Sequence, residues 1–172
     1  SQFDQADNMT DAMAALAALT HVDCDERLEA LSRFEERWQH DSLVMDKWLS
    51  VQAMSSLPGT LGEVEALLTH EAFDLRKPNK VRALVGAFCQ GNFLRFHDEG
   101  GAGYEFLTDQ IAELDRLNPQ VSAGLLGTLG RWRRFPDKNQ ALMRQALERV
   151  LGMSGLSRDC HEVATKTLGN QP

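Results

Sequence analysis

The chain has 172 residues, 42% of them hydrophobic and 25% charged, with five prolines, the make-up of an ordinary globular domain. A net charge of −7 and a pI near 5.2 argue against a general affinity for nucleic acid or anionic membranes. No apolar run approaches the roughly 20 residues that cross a bilayer, so no membrane insertion is expected.

The start, "SQFDQADNMTDAM", is polar and acidic, has neither initiator Met nor signal peptide, and is expected to be the cut edge of a longer protein. An Ala-rich helix is predicted over about Met9–Leu19. Asp23 with Glu26 predicts a capping box for a longer helix that ends near Gln39 and carries Leu28, Leu31, Phe34 and Trp38 on one face. Asp41 is the expected cap of "SLVMDKWLSVQAMSS", where Val44, Trp48 and Val51 or Gln52 repeat at helical spacing. After "LPG", Thr60 and Glu63 predict a second capping box for "LGEVEALLTH".

Asn79 is the expected cap of the next helix, on which Val81, Leu84, Val85 and Phe88 follow the i, i+3, i+4, i+7 spacing of one buried face. Arg82 stands one position off that face, with Gly86 and Cys89 above it. "GNFLRFHDEGGAGY" predicts a short glycine-bounded turn of helix, and "GYEFLTDQIAELDRL" a longer helix after it. Asn118-Pro119 is an N-cap with proline in the first helical position, opening a helix to about Phe135. Pro136-Asp137 with Gln140 starts "NQALMRQALERVLGM", and Ser157 caps the last helix, "RDCHEVATKTL".

No segment alternates with period two, so the fold class is all-α. The expectation is an irregular armadillo- or HEAT-like α-superhelix of about nine to ten antiparallel helices, forming a single domain over residues 1–172. No consensus recurs at constant period, so a regular solenoid is not indicated. Cys24, Cys89 and Cys160 form no CxxC pair, and buried, unreactive thiols in a reducing cytoplasm are expected.

Candidate chemistry is sparse. "HEVAT" at His161–Thr165 begins like the zinc motif H-E-x-x-H, but Thr165 stands where the second imidazole must be, so no metal ligands are assigned. "RWRRF" (Arg131–Phe135) lies at a helix end, where arginines complement the dipole, and no nucleic acid partner is expected. "HDEGGAGY" lacks both the strand and the lysine of a phosphate loop. Gly124, Gly127 and Gly130 recur every third residue, which calls either for a neighbouring backbone packed very close or for open space along that strip. No catalytic constellation is found, and the catalytic set of this chain is expected to be empty.

The segments "ADNMTDAMAAL", "LVMDKWLSVQA", "KPNKVRALVGAF" and "LNPQV", in that order and spacing, resemble the C-terminal end of the bacterial aminopeptidase N family, zinc aminopeptidases of the gluzincin class. The resemblance runs from about Ala6 to Leu168. It implies that this chain is roughly the second half of the C-terminal helical domain of a larger enzyme. That parent would remove N-terminal amino acids from peptides with one zinc bound in its catalytic domain. This piece would have no cofactor and no activity of its own; it would shape the cavity around the zinc, with the catalytic domain and the peptide as its partners. By the same resemblance Arg82 and Gln120 face the substrate, Arg82 holding or steering the peptide's carboxylate, Gly86 keeping the wall open beside it. Gly124 stands where the family often has a second cavity arginine, so the basic wall is thinner here. For Arg82 the residues alone leave a surface salt bridge to a neighbouring helix equally open. For the chain they leave open a free-standing helical-repeat scaffold that binds a protein or peptide on its concave face.

Overall fold

The structure, a computed structural model, describes residues 8–169. The described residues contain no strand and ten α-helical segments, two of them continued by helix of a different pitch. They are α1 (Met9–Leu19), α2 (Asp25–Trp38), α3 (Ser42–Ala53), α4 (Thr60–Leu67), α5 (Pro78–Val81), α6 (Phe93–Phe96), α7 (Ala102–Leu117), α8 (Pro119–Leu126), α9 (Asp137–Leu151) and α10 (Arg158–Gly169). A π-helical segment, Arg82–Gly91, continues α5, and a 3-10 segment, Gly127–Arg134, continues α8.

The chain divides into two compact units, Ser1–Arg95 and Phe96–Pro172. In the first, α1 packs on α2 and α3, α2 on α3, and α3 on α4 and the π segment. In the second, α7 packs on α8 and α9, while α10 packs on α8 and α9. Within each unit most helices thus meet neighbours one or two along the chain, as stacked helical pairs do.

Burial of one face per helix holds each unit together. In the first, Leu16, Phe34, Leu49, Leu84 and Phe88 are wholly inaccessible; in the second, Phe96, Leu107, Ile111, Leu126 and Leu129 are. Three predicted caps stand as expected. Asp41 accepts from the N–H groups of Leu43 and Val44, Asn118 from Val121, and the Ser157 hydroxyl from Cys160.

Other expectations are corrected. The N-cap of α2 is Cys24, with no side-chain cap, so the Asp23–Glu26 box does not form. Leu28 is exposed, and the adjacent Arg27 is buried instead because it pairs across the unit with Glu63. That pairing also removes Glu63 from the second expected box: α4 is capped by Gly59, and the Thr60 hydroxyl donates to the carbonyls of Ser55 and Leu57. Asn79 is not a cap either; Lys77 is, with Pro78 in the first turn. After Leu126 the predicted long helix tightens to 3-10 pitch and kinks at Arg131 (φ −106°, ψ 22°).

Candidate functional site

In the first unit the segment holding Arg82 is fastened by three polar residues, Lys80, Ser50 and Asn92. Lys80 is buried, its Nζ 2.6 Å from a carboxylate oxygen of Asp46 on α3 and donating to the Ser42 carbonyl at 3.0 Å. Ser50 of α3 donates its hydroxyl to the Ala83 carbonyl at 2.7 Å, satisfying a backbone acceptor that the wider π turn changes. At the far end the Asn92 N–H is shared between the carbonyls of Ala87 and Phe88. The buried Asn92 amide then donates to the carbonyls of Ala53 and Ser55, fastening the π segment to the end of α3.

The π pitch corrects the expected α-helix without exposing its apolar face. Val81, Leu84, Val85 and Phe88 are all buried, with Ala83, Gly86 and Cys89 beside them. Arg82 is exposed and its guanidinium donates to the Asn79 side-chain oxygen at 3.2 Å. Among the described residues it makes no ion pair. One donor of five is used, which leaves the others for an anionic or carbonyl ligand. A Cβ on Gly86 would meet only its own helix in ordinary contact, the Val81 carbonyl oxygen at 3.6 Å and Arg82 Cβ at 3.9 Å.

In the second unit Gln120 lies exposed in the first turn of α8, one residue past Pro119. Gly124, Gly127 and Gly130 are exposed too, and a Cβ on any of them would meet nothing within 4 Å. The open alternative for the strip is thereby decided: it is bare backbone facing free space within its unit. Arg133 closes this region, donating to the carbonyls of Thr167 and Leu168 at the end of α10 while lying 4.3 Å over the Trp132 ring.

Further groups in the second unit were not legible beforehand. His97 stacks on Phe135 at 4.3 Å, and its Nδ1 is 2.7 Å from the buried Tyr104 hydroxyl, to which Asn139 donates. Burial holds the His97 imidazole below its usual range. Asp115 accepts from the Ser157 N–H and hydroxyl at 2.7 and 2.6 Å, bonds that draw its carboxyl below the ordinary value against the effect of burial. Pairings such as Tyr104 with Asn139 and Asp115 with Ser157 join residues far apart in the chain, which no local spacing announces.

His161 and Thr165 are exposed on α10. Among the described residues no group of three or more His, Cys, Asp or Glu is placed to hold a metal ion. Burial raises the thiols of Cys89 and Cys160, the latter to about 11, so neither is a nucleophile at neutral pH.

A family model described as "Domain of unknown function (DUF3458_C) ARM repeats" matches residues 1–169. The chain is 42% identical over 166 residues to a protein of Haemophilus influenzae named Aminopeptidase N, covering 96% of this chain and 19% of that protein. It is 41% identical over 167 residues to the proteins of the same name from Escherichia coli and Caulobacter vibrioides, each time over 97% of this chain and 19% of the relative. The chain therefore spans about a fifth of the length of the curated relatives it matches. Among solved structures, the crystal structure of Legionella pneumophila aminopeptidase A in complex with aspartic acid superposes with a TM-score of 0.92 at 34% identity, over 97% of this chain and 20% of that one.

Proposed function

We propose that this chain, which belongs to the ARM-repeat family described as DUF3458_C, is the C-terminal helical domain, or the later part of it, of an aminopeptidase. The observation that carries the reading is identity of 41–42% along 96–97% of the chain to proteins named Aminopeptidase N, of which it matches 19%. A match of that strength over so small a share of the relatives supports reading the chain as one part of a larger polypeptide, here taken as one helical-repeat domain.

In this reading the parent polypeptide removes N-terminal residues from peptides in the cytoplasm, using a zinc held by its catalytic domain. This chain's own residues do not fit that metal: Thr165 replaces the second histidine of the helical motif, and no ligand group assembles among the described residues. Its role is to bound the cavity and limit what reaches the zinc. Arg82 and Gln120 are its substrate-side residues. The exposed Arg82 guanidinium has donors to spare for a peptide carboxylate, and Gln120 sits beside bare backbone at Gly124 where an extended peptide can approach closely.

Expression of the whole reading frame beside the isolated chain tests this. The whole polypeptide is expected to bind one zinc and hydrolyse an alanyl anilide, and the isolated chain to do neither. Stoichiometric zinc or anilide hydrolysis by the chain alone overturns the accessory role. A frame with a stop and a start codon next to Ser1 favours the free-standing scaffold instead.

A further inference from the structure

From Ala12 to Leu19, "AMAALAAL", α1 carries no polar side chain on any face. Beside it α2 exposes Asp25, Glu26, Glu29, Arg33, Glu36 and Arg37, the charged outer face of a helix at a protein surface. A helix that is apolar all round belongs in an interior. Yet Ala14 and Ala18 are exposed, and Met13 and Ala17 are half-buried. Met13 and Ala17 form one wall of a groove of about 410 Å³, and Val51 and Met54 form the other.

The polar groups of this groove are already satisfied. The Thr20 hydroxyl is spent on the Ala17 carbonyl at 2.8 Å and the Ser50 hydroxyl on the Ala83 carbonyl at 2.7 Å. The Asp46 carboxylate is neutralised by Lys80 at 2.6 Å, and His21 Nδ1 accepts the Ser56 N–H at 3.2 Å. Lys47 stands exposed at the rim, where its ammonium stays in water when the walls are covered. Such a groove can be dried without stranding a buried polar group. It suits an occupant whose backbone is satisfied internally, which is a helix. An extended peptide would bring a row of unpaired N–H and C=O groups to walls that hold no partner for them.

We propose that a helix of the parent polypeptide, from the part outside this chain, seats its apolar face in this groove and makes α1 an interior helix. The inference rests on reading the chain as one part of a larger aminopeptidase. The chain matches 19% of relatives of that name, so most of such a polypeptide lies outside it. Each repeat of a stacked helical array is flanked by its neighbours. Within its unit α1 packs on α2 and α3, which leaves the side of Ala14 and Ala18 for the occupant. The small side chains at Ala14, Ala17 and Ala18 allow a neighbouring helix to approach closely, near the short end of the usual 8–10 Å between axes, roughly.

Two added thiols test this in the full-length polypeptide, Ala17→Cys on one wall and Met54→Cys on the other. The readout is the rate of maleimide labelling of the added thiol, compared with the same site in the urea-unfolded protein. Labelling at both sites is expected to be slowed at least about a hundredfold. The protection should be equal at low and high protein concentration, and with or without an added alanyl hexapeptide. Labelling near the unfolded rate overturns the inference, because the face is then open. Protection only at high protein concentration assigns the groove to a second copy of the chain, and protection only with the hexapeptide assigns it to substrate; either result overturns the inference. The sites lie on opposite walls, so one decides alone if the other substitution disturbs folding. Failure of the underlying reading looks different: the reading frame then holds no polypeptide beyond this chain.

Discussion

Lys80 and Asp46 form a nearly buried ion pair, Nζ to carboxylate oxygen 2.6 Å, that joins the start of the Arg82 segment to the middle of α3. Removing one partner of such a pair leaves the other charge uncompensated in low dielectric. Asp46→Ala is expected to cost about 3 kcal/mol in urea unfolding. Replacing both, as Asp46→Leu with Lys80→Met, is expected to cost far less than the two single changes summed. Additive losses would mean that the pair is effectively solvated.

The glycines separate into two kinds, and their substitution should move stability in opposite directions. A Cβ on Gly103 would lie 2.2 Å from the Phe96 carbonyl oxygen, a backbone atom that cannot step aside. Gly103→Ala is expected to destabilise by about 2 kcal/mol or more. Gly124 has open space and ordinary helical backbone, so Gly124→Ala is expected to stabilise by about 0.5–1 kcal/mol. Thermal unfolding of both variants checks the contrast; a stabilising Gly103→Ala contradicts it.

His97 gives the fold an acid-sensitive point. Its folded-state pKa lies below the ordinary 6.5 because of burial, so the unfolded chain takes up the proton first. The sign follows: its contribution is fully present above about pH 6.5 and is lost as pH falls through the lower folded value. The His97 Nδ1 also lies 2.7 Å from the buried Tyr104 hydroxyl, so a change of protonation acts on that hydrogen bond as well. Unfolding free energies at pH 7.5 and 5.5 are expected to differ more for wild type than for His97→Gln. Equal differences would remove His97 from the acid response.

Thiol accessibility offers a check on packing. Cys89 and Cys160 are buried and Cys24 is partly exposed. At pH 8 an aromatic disulfide reagent is expected to titrate one thiol per native chain and three after unfolding in urea. Fast reaction of two or more in the native state would contradict the burial.

Helix existence was legible from periodicity, and caps were legible where a short polar side chain meets the adjacent backbone, as at Asp41, Asn118 and Ser157. It failed where a distant partner competes for the same side chain. Glu63 is taken by Arg27, so its box is lost, and burial of Arg27 turns Leu28 outward. The π pitch of Arg82–Gly91 was hidden for a related reason: the apolar spacing suits an α-helix, while Ser50 and Asn92 anchor the wider turn. The roles proposed for Arg82 and Gln120 rest on resemblance alone, because an exposed side chain leaves no periodic trace.

The most direct test of the account is Arg82→Ala in the full-length enzyme, assayed with an alanyl tripeptide and an alanyl anilide. In the proposed reading only the tripeptide extends beyond the cleaved bond toward the wall that carries Arg82. If Arg82 holds that part of the peptide, kcat/KM for the tripeptide should fall about ten- to a hundredfold relative to the anilide, the loss of one charge-assisted hydrogen bond. An unchanged tripeptide-to-anilide ratio would contradict the account and leave Arg82 with a purely structural role on the protein surface.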